Sequence, residues 1–293
     1  MYVATLVNRF GVGIHPDLGV EDYYHRVLGE ANKGALDMVA ISPYHYRHWV
    51  TQDTDEAAER ITYARGRGYH CALLEPDRFR TDWLEQPNFG PMQSSANRDE
   101  LRLWREHHAD KSFLVKEEMA NVKAMASAAH MHPICDDRGR IVARLGDLLE
   151  GGQTEVTAVW IDPETGLPCK CRYDYWNREG RFVIDPKSTV SAARESFARS
   201  VNSYRYHVQE AHYADGMSVL GEPLEKFWFL AQEHEPPYAV ALYKLGPASE
   251  SRGYELRQRN MQALATALET DRWPSYNRDQ AAEIEIPAWG MVD

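Results

Sequence analysis

The sequence has no long apolar run. Nothing in its 293 residues approaches the ~20 consecutive apolar positions that span a bilayer. The stretch from Tyr238 to Tyr243 is typical of the short runs present. The opening MYVATLVNRF lacks the apolar core of a secretory signal. Cysteine is scarce, four in all, which excludes a disulfide-stapled mini-protein and agrees with a reducing cytoplasm. There is no internal repeat, no sustained heptad and no P-loop, so solenoids, coiled coils and a P-loop ATP site are set aside. Positive charge is also short: 33 basic residues against 44 acidic give a net charge of −11. On its face that speaks against a nucleic-acid partner, since phosphate binding needs Lys and Arg. What remains is 43% hydrophobic and 26% charged residues, the mix of a globular protein of one or two domains.

Residues 55–65 read as a helix with an acidic first turn, weakened by Gly66 and Gly68, and Pro76 stops the segment after it. Residues 85–97 (EQPNFGPMQSSAN) read as a loop. Lys116 to His130 is helical, with Met119, Val122 and Ala126 on one face. After Gly151-Gly152 the period changes. Residues 154–161 alternate as a strand, 168–176 return as a second, and 181–185 form a third. A long helix from Ser191 to Tyr213 is expected, with Phe197, Val201, Tyr204, Val208 and Ala211 as its apolar stripe. Strands at Lys226–Ala231 and Tyr238–Leu245 and a helix over Tyr254–Leu268 follow. The fold class is α/β (α+β), a central mixed sheet flanked by helices.

Asp174 lies near the end of the second strand and Asp185 at the end of the third. A hairpin would bring the two carboxylates together, and a divalent cation would remove their repulsion. Hard oxygen ligands with open positions suit Mg²⁺ or Mn²⁺. Lys187, two residues on, points to the same side and can hold a metal-bound water. Glu155 opens the first strand and can reach the same edge. The assembly suits phosphodiester hydrolysis. From Asp174, Asp185 and Lys187 alone, a surface hairpin with an Asp185–Lys187 salt bridge explains the pattern equally well.

Asp, ten residues, then Asp-x-Lys resembles the PD-(D/E)XK nuclease superfamily. Gln209 and Tyr213, at i and i+4, are similar to the Q-x-x-x-Y helix of its RecB-type branch, and His70 sits where that branch has a metal-ligating histidine. Several segments together resemble the C-terminal nuclease domain of the RecE (exonuclease VIII) family. They are Glu21–His25, Ser42–Arg47, Gly68–Phe79, Glu155–Trp160, Thr165–Asp174 and Trp273–Tyr276. The resemblance spans nearly the whole chain. It implies one nuclease domain over 1–293, with an N-terminal helical elaboration over about 1–110. The catalytic core is expected at about 56–75 and 150–245, and a C-terminal helix and tail at 246–293. It also implies His70, Asp174, Asp185 and the Pro186 carbonyl as Mg²⁺ ligands, with Glu155 acting near the metal. Lys187 would position the attacking water, and Gln209 and Tyr213 would support the DNA backbone or the site. The implied activity is 5′→3′ degradation of linear double-stranded DNA by a toroidal homotetramer in the bacterial cytoplasm. The setting would be a phage or prophage recombination system with a RecT-type annealing partner. A nuclease of other polarity or substrate, or a silent DNA-binding protein of the same fold, are the alternatives. Tyr173 stands where the superfamily has proline. Pro186, lacking an N–H, should lie at a strand end or edge.

Other pairs carry blander readings. His107-His108 and His130-x-His132 lack zinc-site companions and read as surface pairs. Cys169-x-Cys171 lacks the grouping of an iron–sulfur cluster, and none is expected. Arg172, Arg194 and Arg205 are candidates for DNA contact, and Tyr206 for base stacking, with Tyr204 assigned to the core. Residues 170–205 hold eight basic side chains against four acids, which leaves −15 on the rest of the chain. Total charge therefore hides a basic stretch where the chemistry is expected.

Overall fold

The structure is a computed structural model that describes residues 5–52 and 61–287. The chain begins with α1 (Leu6–Phe10), β1 (Gly13–His15), α2 (Val20–Tyr24), α3 (Lys33–Ile41) and α4 (Pro43–Thr51). Asn32 and Ser42 cap α3 and α4 by accepting from backbone N–H groups three residues on, and Pro43 opens α4. Next come α5 (Ile61–Leu74), α6 (Pro76–Asp82), β2 (Trp83–Gln86), α7 (Ser95–His107), β3 (Ser112–Val115) and α8 (Lys116–Met131). The hairpin β4 (Pro133–Cys135) and β5 (Ile141–Arg144) and the short α9 (Leu145–Leu148) lead to three long strands. These are β6 (Gln153–Ile161), β7 (Pro168–Asn177) and β8 (Phe182–Thr189). The remainder is α10 (Arg194–Ser203), α11 (Tyr206–Val219), β9 (Lys226–Glu233), β10 (Val240–Tyr243) and α12 (Pro247–Thr270).

Six strands form one mixed sheet in the order β1-β6-β7-β8-β9-β10. All its neighbours are antiparallel except β8 and β9. The β8–β9 connection runs through α10 and α11, as a parallel crossover requires. One core cluster gathers the apolar sides of α3, α10, α11 and α12 on the sheet, around Trp160, Tyr173 and Phe229. The other lies under α5, α6, α8 and α9, around Tyr69, Met125 and Ile184. Gly253 lets α12 lie against α11, since a Cβ there would meet the His207 carbonyl oxygen at 2.1 Å. Trp273 stacks on Tyr46 and the Pro274 carbonyl accepts from the Tyr44 N–H, so the C-terminal segment docks on α4. No helix among the described residues is long and apolar enough to cross a membrane.

Five expectations are corrected. The helix read over 55–65 does not weaken at its glycines: α5 continues to Leu74, and residues 55–60 lie outside the described residues. Gly68 is there for closeness, since a Cβ would sit 2.9 Å from Leu114 and 3.2 Å from Trp83. The helix over Ser191–Tyr213 is two helices, because Arg205 takes a left-handed conformation (φ 56°) held by an ion pair to Asp37. The break turns Tyr204 outward, 61% exposed, rather than into the core. The loop 85–97 is shorter than read, with β2 and α7 taking its ends, and the N-terminal region supplies the edge strand β1 as well as helices.

Candidate active site

The sheet register places three carboxylates in one row. Thr154 pairs with Tyr175 and Val156 with Tyr173, so Glu155 lies opposite Asp174. On the other side of β7 the last pair is Tyr175 with Ile184, so the next position sets Asp174 opposite Asp185, just past the ladder's end. Glu155 is left-handed (φ 54°) in the middle of a strand, a conformation that costs of order 1–3 kcal/mol and clusters at functional sites. The strand alternation breaks at this row. Cys169, Cys171 and Tyr173 join one core cluster, while Tyr175 joins the other. Pro186 occupies the middle of an interior strand, paired with Leu230, and not a strand end. The expectation of an edge holds only locally: at Pro186 the β7 side of the ladder has already stopped.

Helices from both faces deliver the partners. From α11, Gln209 Nε2 donates to Asp185 Oδ1 at 2.6 Å. Lys187 forms an ion pair with Asp185 and lies over the Tyr206 ring, 4.8 Å from its centroid. The Tyr213 carbonyl accepts from Tyr173 Oη at 2.7 Å. From α5, His70 Nδ1 lies 3.6 Å from Asp174 Oδ2. Arg172 Nε donates to Glu155 Oε2 at 2.7 Å, while its Nη1 holds the Leu18 carbonyl and Thr157 Oγ1.

Burial, with the Asp174 charge adding to it, pushes the Asp185 carboxyl up to about 6 against the opposing pull of Lys187. Burial likewise raises Glu155, helped by Asp174. Burial works against the charged His70 ring, but Asp174 outweighs it and the pKa is raised. Burial would raise Asp174, yet His70 and Lys187 carry it below the usual carboxylate range. These are like charges crowded together, each carboxylate with a cationic neighbour.

Ligand atoms of His70, Glu155 and Asp174 lie within 4.8 Å of one another. Asp185 adds a buried oxygen, Oδ2, in an ion pair with the Lys187 ammonium. An imidazole and hard oxygens at this spacing fit a divalent cation. The sequence reading had Asp185 beside His70. Here Glu155 completes that cluster, and Asp185 is held by Gln209 and Lys187.

The row opens into a cleft of about 880 Å³ lined by all of Glu155, Asp174, Asp185, Lys187, His70, Gln209, Tyr213 and Arg172. Arg194 and Arg205 do not line it. Arg205 is committed to Asp37 at the helix break. Of the basic stretch over 170–205, Arg172 and Lys187 line the cleft. Lys170 pairs with Glu30, Arg178 with Glu222 and Arg181 with Glu225. Tyr206 stacks on Phe229 rather than standing free for bases. The cleft's other guanidinium groups, Arg67 and Arg78, come from α5 and α6.

A six-stranded mixed sheet with a carboxylate row, a lysine two residues on and a glutamine from the following helix is the anatomy the comparisons bear on. Residues 37–284 match a family described as "PDDEXK-like domain of unknown function (DUF3799)". The chain belongs to that family. Among solved structures, a protein of Eubacterium rectale described as a "putative exonuclease" has a TM-score of 0.55. It is 10% identical, and the match covers 94% of this chain and 98% of that one. At that identity the likeness speaks for the fold alone. The structure of SSO0001 is 20% identical over 40% of this chain and 55% of its own, with a TM-score of 0.28, too low to carry an argument. No curated protein matches. The PDDEXK-like family and the mixed α/β fold therefore stand together, and divalent-metal nuclease chemistry is what such domains usually perform.

Proposed function

We propose that this PDDEXK-like chain is a metal-dependent exodeoxyribonuclease that shortens linear double-stranded DNA from its 5′ ends, leaving 3′ single strands. The observation that supports it most is the row Glu155–Asp174–Asp185 with Lys187 and Gln209 locked onto Asp185. His70, Glu155, Asp174 and Asp185, with the Pro186 carbonyl, would hold Mg²⁺ or Mn²⁺. A bound cation supplies a Lewis acid for the phosphate and lowers the pKa of water. Gln209 fixes the Asp185 carboxylate. Lys187, steadied by Asp185 and Tyr206, orients the attacking water and offsets charge growing on the phosphate. Arg172 holds Glu155 in place. Water adds to phosphorus, the P–O3′ bond breaks, and a 5′-mononucleotide leaves.

Linear duplex labelled at the 5′ or 3′ end, and closed circular duplex, incubated with Mg²⁺ or EDTA, test the reading. Loss of the 5′ label from linear DNA, blocked by EDTA, is expected. Cutting of closed circles would sink the exonuclease assignment. Inactivity with both Mg²⁺ and Mn²⁺ would make the chain a silent DNA-binding protein. The resemblance to RecE further supports a toroidal tetramer working with a RecT-type annealing protein. A monomer by light scattering at micromolar concentration would remove the ring.

A further inference from the structure

The cleft has one feature that metal and phosphate chemistry leaves unexplained. Of the large hydrophobic side chains exposed among the described residues, only Val20 and Tyr24 line it. They sit one turn apart on α2, so they share a side. Val20 is 48% exposed and Tyr24 67%. An acidic, water-filled pocket gains nothing from apolar surface held in water.

Tyr24 is firmly backed. Its ring meets Tyr23 edge-on, with centroids 5.2 Å apart and planes at 71°. Tyr23 is buried beneath the Lys170 and Arg172 cations, 5.5 and 6.0 Å from its centroid. Tyr24 is also near the chemistry: the charges of Asp174, Glu155, Arg172 and Arg67 all act on its hydroxyl. The cleft thus sets an exposed aromatic face beside the carboxylate row, with guanidinium groups close by.

Resting on the nuclease reading, we infer that Tyr24, flanked by Val20, is a nucleobase-stacking subsite that takes an unpaired base next to the scissile phosphate. Every base presents a π-face, so the subsite tolerates any sequence. It gives the site a grip on a single strand parted from its complement, which backbone contacts alone do not provide.

The test uses the full chain with Ca²⁺ in place of Mg²⁺, and oligonucleotide duplexes carrying 2-aminopurine at the terminal 5′ or the terminal 3′ position. Anisotropy reads binding, and 2-aminopurine emission reads stacking. The wild type should quench the probe at one of the two ends. Tyr24→Ala should bind about tenfold more weakly and leave the probe bright, while Tyr24→Phe and Tyr24→Trp keep both signals. An unchanged melting temperature checks the fold. If Tyr24→Ala still quenches as the wild type does, or Tyr24→Leu equals Tyr24→Phe, the stacking subsite is wrong while the nuclease reading stands. If the wild type shows no DNA binding by anisotropy, the nuclease reading fails and this inference fails with it.

Discussion

Lys170 and Asp174 lie four residues apart on β7, each a charged group drawn largely out of water, in surroundings that differ in kind. The Lys170 and Glu30 side chains are 2% and 1% exposed. Glu30 also accepts from the Leu6 N–H at 2.7 Å, and Lys170 donates to the His25 carbonyl at 2.7 Å. The pair is matched one to one, and it ties the N-terminal segment to the sheet. Asp174 is flanked by Glu155 and Asp185, faces a half-buried His70, and opens to the cleft. Three carboxylates crowd there, met by His70, Arg172 and Lys187. A closed, matched pair is what a structural ion pair needs to offset desolvation. A crowded, open row is what an incoming cation needs.

The sharpest way to break this contrast is at the open end. Lys187→Ala and Asp185→Asn should each lower cleavage by about 10²–10³-fold or more, with a melting temperature no lower than wild type for Asp185→Asn. Near-native rates in either variant would place the chemistry elsewhere. At the closed end the effect should reverse in kind. Lys170→Met strands Glu30 and should cost about 3–5 kcal/mol in denaturant unfolding. The double variant Lys170→Met/Glu30→Leu should recover most of that, with cleavage per folded molecule retained throughout.

Arg172 stands between the two, clamping Glu155 at the site while holding Leu18 and Thr157 beside it. Arg172→Leu should therefore show both effects at smaller size, about 1–3 kcal/mol of stability and a roughly tenfold loss of rate. Loss of one quantity alone would assign Arg172 to one side.

The smallest effect concerns Glu210, a second unmatched carboxylate, pushed up to about 8 by burial and then by Glu250 and Asp185. Its folded pKa lies above the ordinary value, so the fold favours the protonated form. That contribution is complete below about pH 4.5 and is lost as pH rises through 8. Glu210→Gln should raise the melting temperature by a few degrees at pH 9 and leave it unchanged at pH 4.5. An equal shift at both would show that the charge is not the cause.

The hairpin and its carboxylates were legible because period-two alternation and turn chemistry are local. Asp162 to Gly166 closes β6 onto β7, and spacing alone then brings Asp174 to Asp185. The helix break at Arg205 was not legible, since its left-handed backbone depends on Asp37, far away in sequence. Counting charge over 170–205 misled for a similar reason. Five of its eight cations are met by Glu30, Glu155, Glu222, Glu225 and Asp37, which the fold alone brings near. Arg67 carries no spacing that marks it, and its place beside Tyr24 shows only when α5 and α2 wall the same cleft.

The early end of the β7–β8 ladder has a mechanical meaning. Three ladder pairs, Tyr175–Ile184, Trp176–Val183 and Asn177–Phe182, join β1-β6-β7 to β8-β9-β10 within the sheet. The sheet is built like a pair of shears, with those rungs as the pivot and Asp174 and Asp185 as the first points on the blades. Tyr175 and Ile184 form the rung nearest the two carboxylates, so repacking them should alter the gap between Asp174 and Asp185.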